Sequence, residues 1–175
     1  IDDKKAARQA VEYLLQKGHK RIAALIEHTG GGSISQLRYE GYVGALQDAG
    51  IALDASLVGC AGSFEMDDAY AAASRLIAGA RPTALFAISD LMGVAAMKAA
   101  ADAGLRVPED LSVIAIDGIE FSNYCMPTLT TLAQPTEALA IKSVEILAGL
   151  IEKKGLNGHV LLPTSLRQGG SVQQL

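Results

Sequence analysis

The chain has 175 residues, of which 50% are apolar and 19% are charged, a composition that is typical of globular proteins and excludes a disordered chain. Its 15 basic and 19 acidic residues give a formal net charge of −4, so we expect that it does not bind the phosphates of nucleic acids by itself. No apolar run reaches the roughly 18–20 residues of a membrane-spanning helix, and we expect no membrane span.

Taken in chain order, helices are predicted where apolar residues recur every three to four positions, and strands where short apolar runs lie between turn residues. Asp2 or Asp3 can cap the first helix, and Gly18, Gly50 and Gly104 follow the ends of three helices. After the first helix the predicted order is a strand at 21–27, a glycine-rich loop at 28–35, a helix carrying Leu37, Val43, Ala45 and Leu46, a strand at 56–60, a helix at 67–78, a strand at 84–88, a helix at 91–103 and a strand at 112–116.

These strands are short, continuous and apolar, as is typical of a parallel sheet that is covered on both faces. Strands that alternate with amphipathic helices predict right-handed crossovers between parallel neighbours. The predicted fold class is therefore α/β, with a doubly wound parallel sheet in a three-layer α/β/α arrangement.

The pattern changes after Asp117. An irregular stretch at 118–128 precedes a strand-like segment at 129–133, and Pro135 suits the first turn of a long helix that reaches about Lys154. A last strand is predicted at 159–162, before a polar tail from Arg167. The apolar face of the long helix contains Leu139, Ile146, Leu147, Leu150 and Ile151.

Five residues at the predicted carboxyl ends of strands are candidates for ligand binding, because open α/β sheets bind ligands at that edge. Arginine offers a forked donor, carboxylates accept from hydroxyls, and an aromatic ring covers an apolar ligand face. This pattern suits a polar, hydroxylated ligand. The candidates are Arg38, Phe64, Ser89, Asp90 and Asp117.

Each candidate also has a structural explanation. Arg38 can be a solvated helix residue, Asp90 stands where a helix N-cap is wanted, and Asp117 can form an Asx turn before a glycine. For Ser89 and Phe64 the sequence favours neither ligand binding nor a purely structural role.

Enzyme and metal patterns are absent from the sequence. There is no GxSxG, GxGxxG or GxxxxGK[ST] motif, so the glycines at 30–32 are interpreted as a flexible turn and not as a phosphate cradle. His19, His28 and His159 lack metal-ligand spacing and are predicted to be surface or capping residues, and both cysteines are predicted to be buried. We expect no catalytic activity, metal or cofactor.

Several segments resemble the sensor region of the lactose/galactose repressor family, and together they span nearly the whole chain. The stretches VPEDLSV (107–113) and PTLTT (127–131) are the most specific. They lie within two longer similar segments, 81–117 and PTLTTLAQ (127–134). The other similar segments are AVEYLLQKGHKRIAALI (10–26), RYEGYVGALQDAGI (38–51) and LLPTSL (161–166).

The resemblance implies a periplasmic-binding-protein-like lobe that senses a sugar-like effector for a cytoplasmic DNA-binding repressor. Arg38 then matches the arginine that grips the effector, Asp117 the carboxylate after the strand, and Phe64 a stacking aromatic. Ser89 lies where the family often places Asn or Ser, beside Asp90. The implied homodimer contacts lie around Met66, Tyr70, Met97 and Phe121.

The resemblance also implies that the chain is a fragment. Residues 1–132 and 163–175 correspond to the C-terminal lobe, and 133–162 to a strand and helix that normally belong to an N-terminal lobe. The rest of that lobe and the DNA-binding headpiece would be absent, so we expect the apolar face of the long helix to pack on another chain or an unusual surface.

Three departures from the family pattern stand out. Ala115 replaces a usual glycine, Gly118 replaces a second acid, and Gly169 replaces an arginine near the end of the chain. We therefore expect unusual packing of the tail.

In the intact protein, an effector would act by favouring one arrangement of the two lobes, which makes the mechanism allosteric. Alanine at position 38 or 117 is then expected to weaken the effector response and to leave folding nearly intact. The alternatives are a periplasmic-type sugar receptor without a DNA-binding role, which a signal peptide in the complete gene would indicate, and a doubly wound enzyme, which turnover would indicate.

Overall fold

A computed structural model describes residues 1–28, 32–152 and 158–175, and in these residues five α-helices accompany one six-stranded sheet. The helices are α1 (Asp3–Gln16), α2 (Ile34–Asp48), α3 (Met66–Ala80), α4 (Asp90–Asp102) and α5 (Thr136–Ile151). The strands are β1 (Ile22–Glu27), β2 (Val58–Ala61), β3 (Ala84–Ala87), β4 (Ser112–Asp117), β5 (Thr130–Ala133) and β6 (Ser165–Arg167). Short 3-10 helices occupy Ala55–Leu57 and Glu120–Tyr124.

The sheet has the order β2-β1-β3-β4-β5-β6, and its first five strands are parallel. Helices α1 and α2 pack against each other, as do α3 and α4. Strand β1 leads outward to the edge strand β2, and the chain then crosses back to β3 on the other side of β1. The predicted α/β class, with a mostly parallel sheet flanked by helices, is confirmed.

Helices α1 and α2 approach closely at Gly41. A Cβ at this position would lie 2.2 Å from the backbone oxygen of Lys4, so no larger residue fits without separating the helices. The side chain of Asp2 caps α1 by accepting from the Lys5 amide at 2.9 Å, as predicted. The close crossing brings the first turn of α1 beside the residues that precede Gly41 in α2.

The last part of the chain differs from the prediction. The described residues at 159–162 form no strand, and the last strand is β6, which pairs antiparallel with β5 in a register that places Ser165 opposite Ala133. Pro135 precedes α5 at the N-cap position, and α5 ends at Ile151. The predicted helix end at Lys154 lies outside the described residues.

The glycine-rich loop lies partly outside the described residues, which resume at Gly32. Of the apolar residues that the sequence places on α2, Leu37 is exposed, and Tyr42 of the same helix is buried in the core.

The C-terminal tail packs tightly, and the expectation that Gly169 makes its packing unusual stays a prediction. The backbone oxygen of Ser171 accepts from the Val113 amide at 2.7 Å, and its hydroxyl donates to the Val113 oxygen at 2.6 Å. The same hydroxyl accepts from the Thr130 amide at 2.8 Å, so the tail joins β4 to β5.

Helix α5 exposes most of its apolar residues. Gly149 is its one buried residue, and Leu147, Leu150 and Ile151 of its predicted apolar face are more than half exposed. Leu139 and Ile146 are half-buried. None of the helices in the described part of the chain has the length and apolarity to cross a membrane.

Candidate functional site

The carboxyl ends of β1, β3, β4 and β5 form one edge of the sheet, and side chains from four segments meet there. Arg38 extends from α2, Asp117 ends β4, Ser89 and Asp90 follow β3, and Gln134 follows β5. Because the strand order reverses between β1 and β3, this edge is a topological switch point, where open α/β sheets bind ligands.

Arg38 lies at the centre of this edge, with 4% of its side chain exposed. Its Nε donates to Asp3 Oδ1 at 2.8 Å, and its Nη1 donates to Asp117 Oδ1 at 3.1 Å and to the backbone oxygen of Ile88. The guanidinium therefore joins α1, β4 and the end of β3. The alternative of a solvated helix residue is wrong.

Nη2 of Arg38 and Oδ2 of Asp117 are among the polar atoms of this cluster that make no hydrogen bond within the described residues. The other oxygen of Asp117 also accepts from Gln134 Nε2 at 2.8 Å, which fixes the carboxylate. The side chain of Asp117 is 25% exposed. Nη2 is a hydrogen-bond donor and Oδ2 an acceptor, the two functions that hydroxyl groups of a ligand need.

Burial raises the pKa of Asp117, while the charge of Arg38 and the hydrogen bonds from Gln134 and Arg38 lower it, and burial prevails. The backbone of Asp117 has a positive φ of 137°, followed by Gly118 at 75°. A Cβ on Gly118 would lie 2.5 Å from the Cβ of Ala133. A second acid next to Asp117 therefore has no room.

Ser89, and not Asp90, caps α4. The Ser89 hydroxyl accepts from the Met92 amide at 3.3 Å, so the capping role considered for Asp90 is wrong. Asp90 is fully buried and accepts from the Ile119 amide at 2.9 Å and the Ser122 hydroxyl at 2.9 Å, and also from Thr131. It holds the 118–122 loop against β5, and its contact with a ligand stays a prediction that this geometry does not favour.

Phe64 lies in the loop after the edge strand β2, with 40% of its surface exposed. It is at the same edge of the sheet as Arg38, because β1 and β2 are parallel and both end there. Its ring is accessible to a ligand or a protein surface, and its stacking role stays a prediction.

Sequence reasoning missed Asp3 and Gln134 as members of this cluster. Gln134 directly follows β5, so the rule that selected Asp117 would also have selected it. Asp3 had no such signal, since its position depends on how α1 crosses α2.

Two predictions about histidines and cysteines are wrong. His19 is buried, with its ring nitrogens 3.1 Å from Thr83 Oγ1 and 3.3 Å from the Gln173 oxygen. Cys60 is exposed, and its sulfur lies 3.6 Å from His28 Nδ1, while Cys125 is half-buried. Within the described ranges, no group of three or more His, Cys, Asp or Glu side chains is placed to hold a metal ion.

Comparison with known proteins relates the chain to a domain family and to transcription regulators. Residues 11–172 match the family described as periplasmic binding protein-like domain. The chain is 40% identical over 167 residues to the HTH-type transcriptional regulator MalR of Clostridium butyricum, which covers 95% of this chain and 49% of MalR.

Solved structures agree in fold and sequence. The transcriptional regulator CelR in complex with cellobiose superposes with a TM-score of 0.89 at 34% identity, covering 98% of this chain and 52% of CelR. A regulatory protein of the LacI family from Chloroflexus aggregans gives 0.89 at 30% identity, covering 99% of this chain and 63% of that protein. The chain spans about half the length of the curated relatives that it matches.

Proposed function

The chain belongs to the periplasmic-binding-protein-like domain family, within which its relatives are LacI-type transcription regulators, and from this premise we propose that it is the effector-sensing domain of a bacterial repressor. The observation that carries the proposal is the pair of unbonded atoms on Arg38 and Asp117 at the switch point of the sheet. The relatives compared above are regulators, which favours this function over a sugar receptor or an enzyme.

A sugar or related polyol suits the cluster. Arg38 Nη2 donates to one hydroxyl, and Asp117 Oδ2 accepts from its neighbour. The Ser89 hydroxyl, which accepts from the Met92 amide, keeps its hydrogen for a ligand at the same edge of the sheet. Phe64 supplies an aromatic face at the rim. Because the relatives of this chain are transcription regulators, we expect the ligand to be bound and released unchanged.

The chain forms one lobe of a two-lobed sensor, made of residues 1–132 and 163–175. Residues 133–162, which include α5, contribute to a second lobe, except that Ala133 pairs with Asp117 and Ser165 in the sheet of this lobe. The exposed apolar face of α5 packs against the rest of the second lobe. Exposure of Leu147, Leu150 and Ile151 supports this division, because a free helix does not gain by presenting so much apolar surface to water.

The complete protein acts in the cytoplasm as a homodimer that binds DNA through a separate headpiece. The dimer contacts lie in the regions of Met66, Tyr70, Met97 and Phe121. Met66 and Phe121 support this because they are exposed apolar side chains. Met97 is buried in α4, so at this position the dimer contact is made by the exposed residues near it on the helix. The effector changes DNA binding only as far as it prefers one lobe arrangement, typically by about 1–3 kcal/mol.

The experiment is a thermal-shift screen of sugars and nucleosides on the complete gene product, followed by calorimetry on the Asp117→Asn variant. We expect the variant to bind the identified effector at least about tenfold more weakly, the effect of losing one hydrogen bond to a charged group. Asp110→Asn is the matched control, since Asp110 pairs with Arg106 on the surface. Equal affinity in the Asp117 variant and the control would reject this site.

A further inference from the structure

The charge of Arg38 is already compensated inside the protein. Asp3 and Asp117 each place a carboxylate oxygen within 3.1 Å of the guanidinium, and both carboxylates are mostly shielded from water. One positive and two negative groups leave a net charge of −1 at the point where a ligand would meet the arginine.

The neighbouring groups do not reverse this balance. The buried carboxylate of Asp90 lies near enough to Asp117 to act on it electrostatically, and Arg167, which approaches Asp90 at 3.8 Å, offsets that one charge. Helix dipoles add little attraction for an anion: Ser33 and Ser89 cap α2 and α4, and Asp90 already occupies the first turn of α4.

We propose that Asp3 is a positioning residue which, by neutralising Arg38, restricts this site to uncharged hydroxylated ligands such as neutral sugars or nucleosides. This inference rests on the proposed function and adds the charge class of the effector. A carboxylate or phosphate on the ligand would compete with Asp3 and Asp117 for the guanidinium and would meet their repulsion in a poorly solvated place. A hydroxyl instead accepts from Nη2 and donates to Asp117 without displacing either carboxylate.

The test compares matched ligand pairs on the complete gene product by calorimetry: galactose with galacturonate, glucose with glucuronate, and cytidine with cytidine 5′-monophosphate. For any pair that binds, we expect the neutral member to bind at least about tenfold more tightly. Preference for the acidic member would overturn the inference while leaving the proposed function intact. Absence of binding by every member would instead reject the proposed function and the inference with it.

The role of Asp3 is tested by the selectivity ratio, defined as the dissociation constant of the acidic member over that of the neutral one. Asp3→Asn should lower the ratio about tenfold, because Arg38 then carries uncompensated charge. Asp2→Asn is the control: it removes the same charge one residue away and leaves an asparagine that still caps α1.

Asp3→Glu covers the case in which Asp3→Asn folds poorly, since it retains the charge. We expect this variant to keep the neutral preference of the unchanged protein. Equal ratios for Asp3→Asn and Asp2→Asn, or a ratio for Asp3→Glu as low as that for Asp3→Asn, would overturn the role of Asp3, because a purely structural residue does not distinguish ligands by charge.

Discussion

Arg38 combines a structural and a ligand-facing role in one side chain. Three of its contacts join α1, β4 and the end of β3, and only Nη2 is left for a ligand. Removing it would leave Asp3 and Asp117 facing each other without a counter-charge. The sequence-based expectation that position 38 can be truncated without loss of stability therefore does not fit the observed burial.

Arg38→Ala should lower the free energy of unfolding by about 3 kcal/mol, as expected when one partner of a largely buried ion pair is removed. Urea denaturation followed by circular dichroism measures this. Arg75→Ala, at an exposed position on α3, should change stability by less than about 0.5 kcal/mol. A loss of less than about 1 kcal/mol for the Arg38 variant would show that its contacts are mainly solvated.

His19 makes stability dependent on pH. Burial lowers its pKa below the ordinary value of 6.5, and the hydrogen bond with the Gln173 oxygen offsets this only in part. As the pH falls below 6.5, the unfolded chain therefore binds a proton that the folded chain does not, and the free energy of unfolding decreases. Between about pH 7 and pH 5, His19→Gln should show a smaller decrease in urea denaturation than the unchanged chain. Parallel curves for the two proteins would contradict the burial effect.

The residues at this edge show what a sequence can predict. Arg38, Ser89 and Asp117 could be selected because the carboxyl ends of parallel strands meet at one edge, and each is where that rule puts it. Asp3 could not be, since its partner is 35 residues away and only the crossing of α1 and α2 brings them together. The capping role of Ser89 over Asp90 depends on one residue of helix phase, which periodicity does not resolve.

At the scale of elements, β1 to β4 were predictable because each is a continuous apolar run between turn residues. Strand β6 was not predictable in this way. It has three residues, of which Ser165 and Leu166 are exposed, and it forms only because β5 offers an unpaired edge. Pairing with a distant edge leaves no periodic signal in so short a segment.

Helix α5 should contribute little to the stability of this chain. Leu147→Glu and Val144→Glu each place a charge where the side chain is already more than half exposed, so the free energy of unfolding should change by less than about 0.5 kcal/mol. Chemical denaturation of the 175-residue chain measures this. Ala138→Glu, at an exposed position on the same helix, is the control. A loss above about 1 kcal/mol for Leu147→Glu alone would mean that α5 packs within the chain.

At the scale of the whole molecule, the chain leaves the sheet after β5 and returns to it at β6, so residues 134–164 connect two neighbouring strands. Replacing 135–163 by Asn-Gly should give a chain that still folds, because β5 and β6 are antiparallel neighbours that a two-residue hairpin turn can join. We expect the unfolding free energy to stay within about 1 kcal/mol of that of the parent chain. Circular dichroism and urea denaturation test this, and an unfolded product would show that α5 or its flanks stabilise the lobe.

Ala133 and Ser165 are antiparallel partners, so the chain leaves the sheet at the end of β5 and returns to it beside the same point at the start of β6. The segment between these two strands, residues 134–164, is therefore attached to the sheet through two neighbouring, hydrogen-bonded strands. Any displacement of this segment acts on β5 and β6 together. Because Gln134 directly follows β5 and fixes the carboxylate of Asp117, such a displacement also acts on the candidate site.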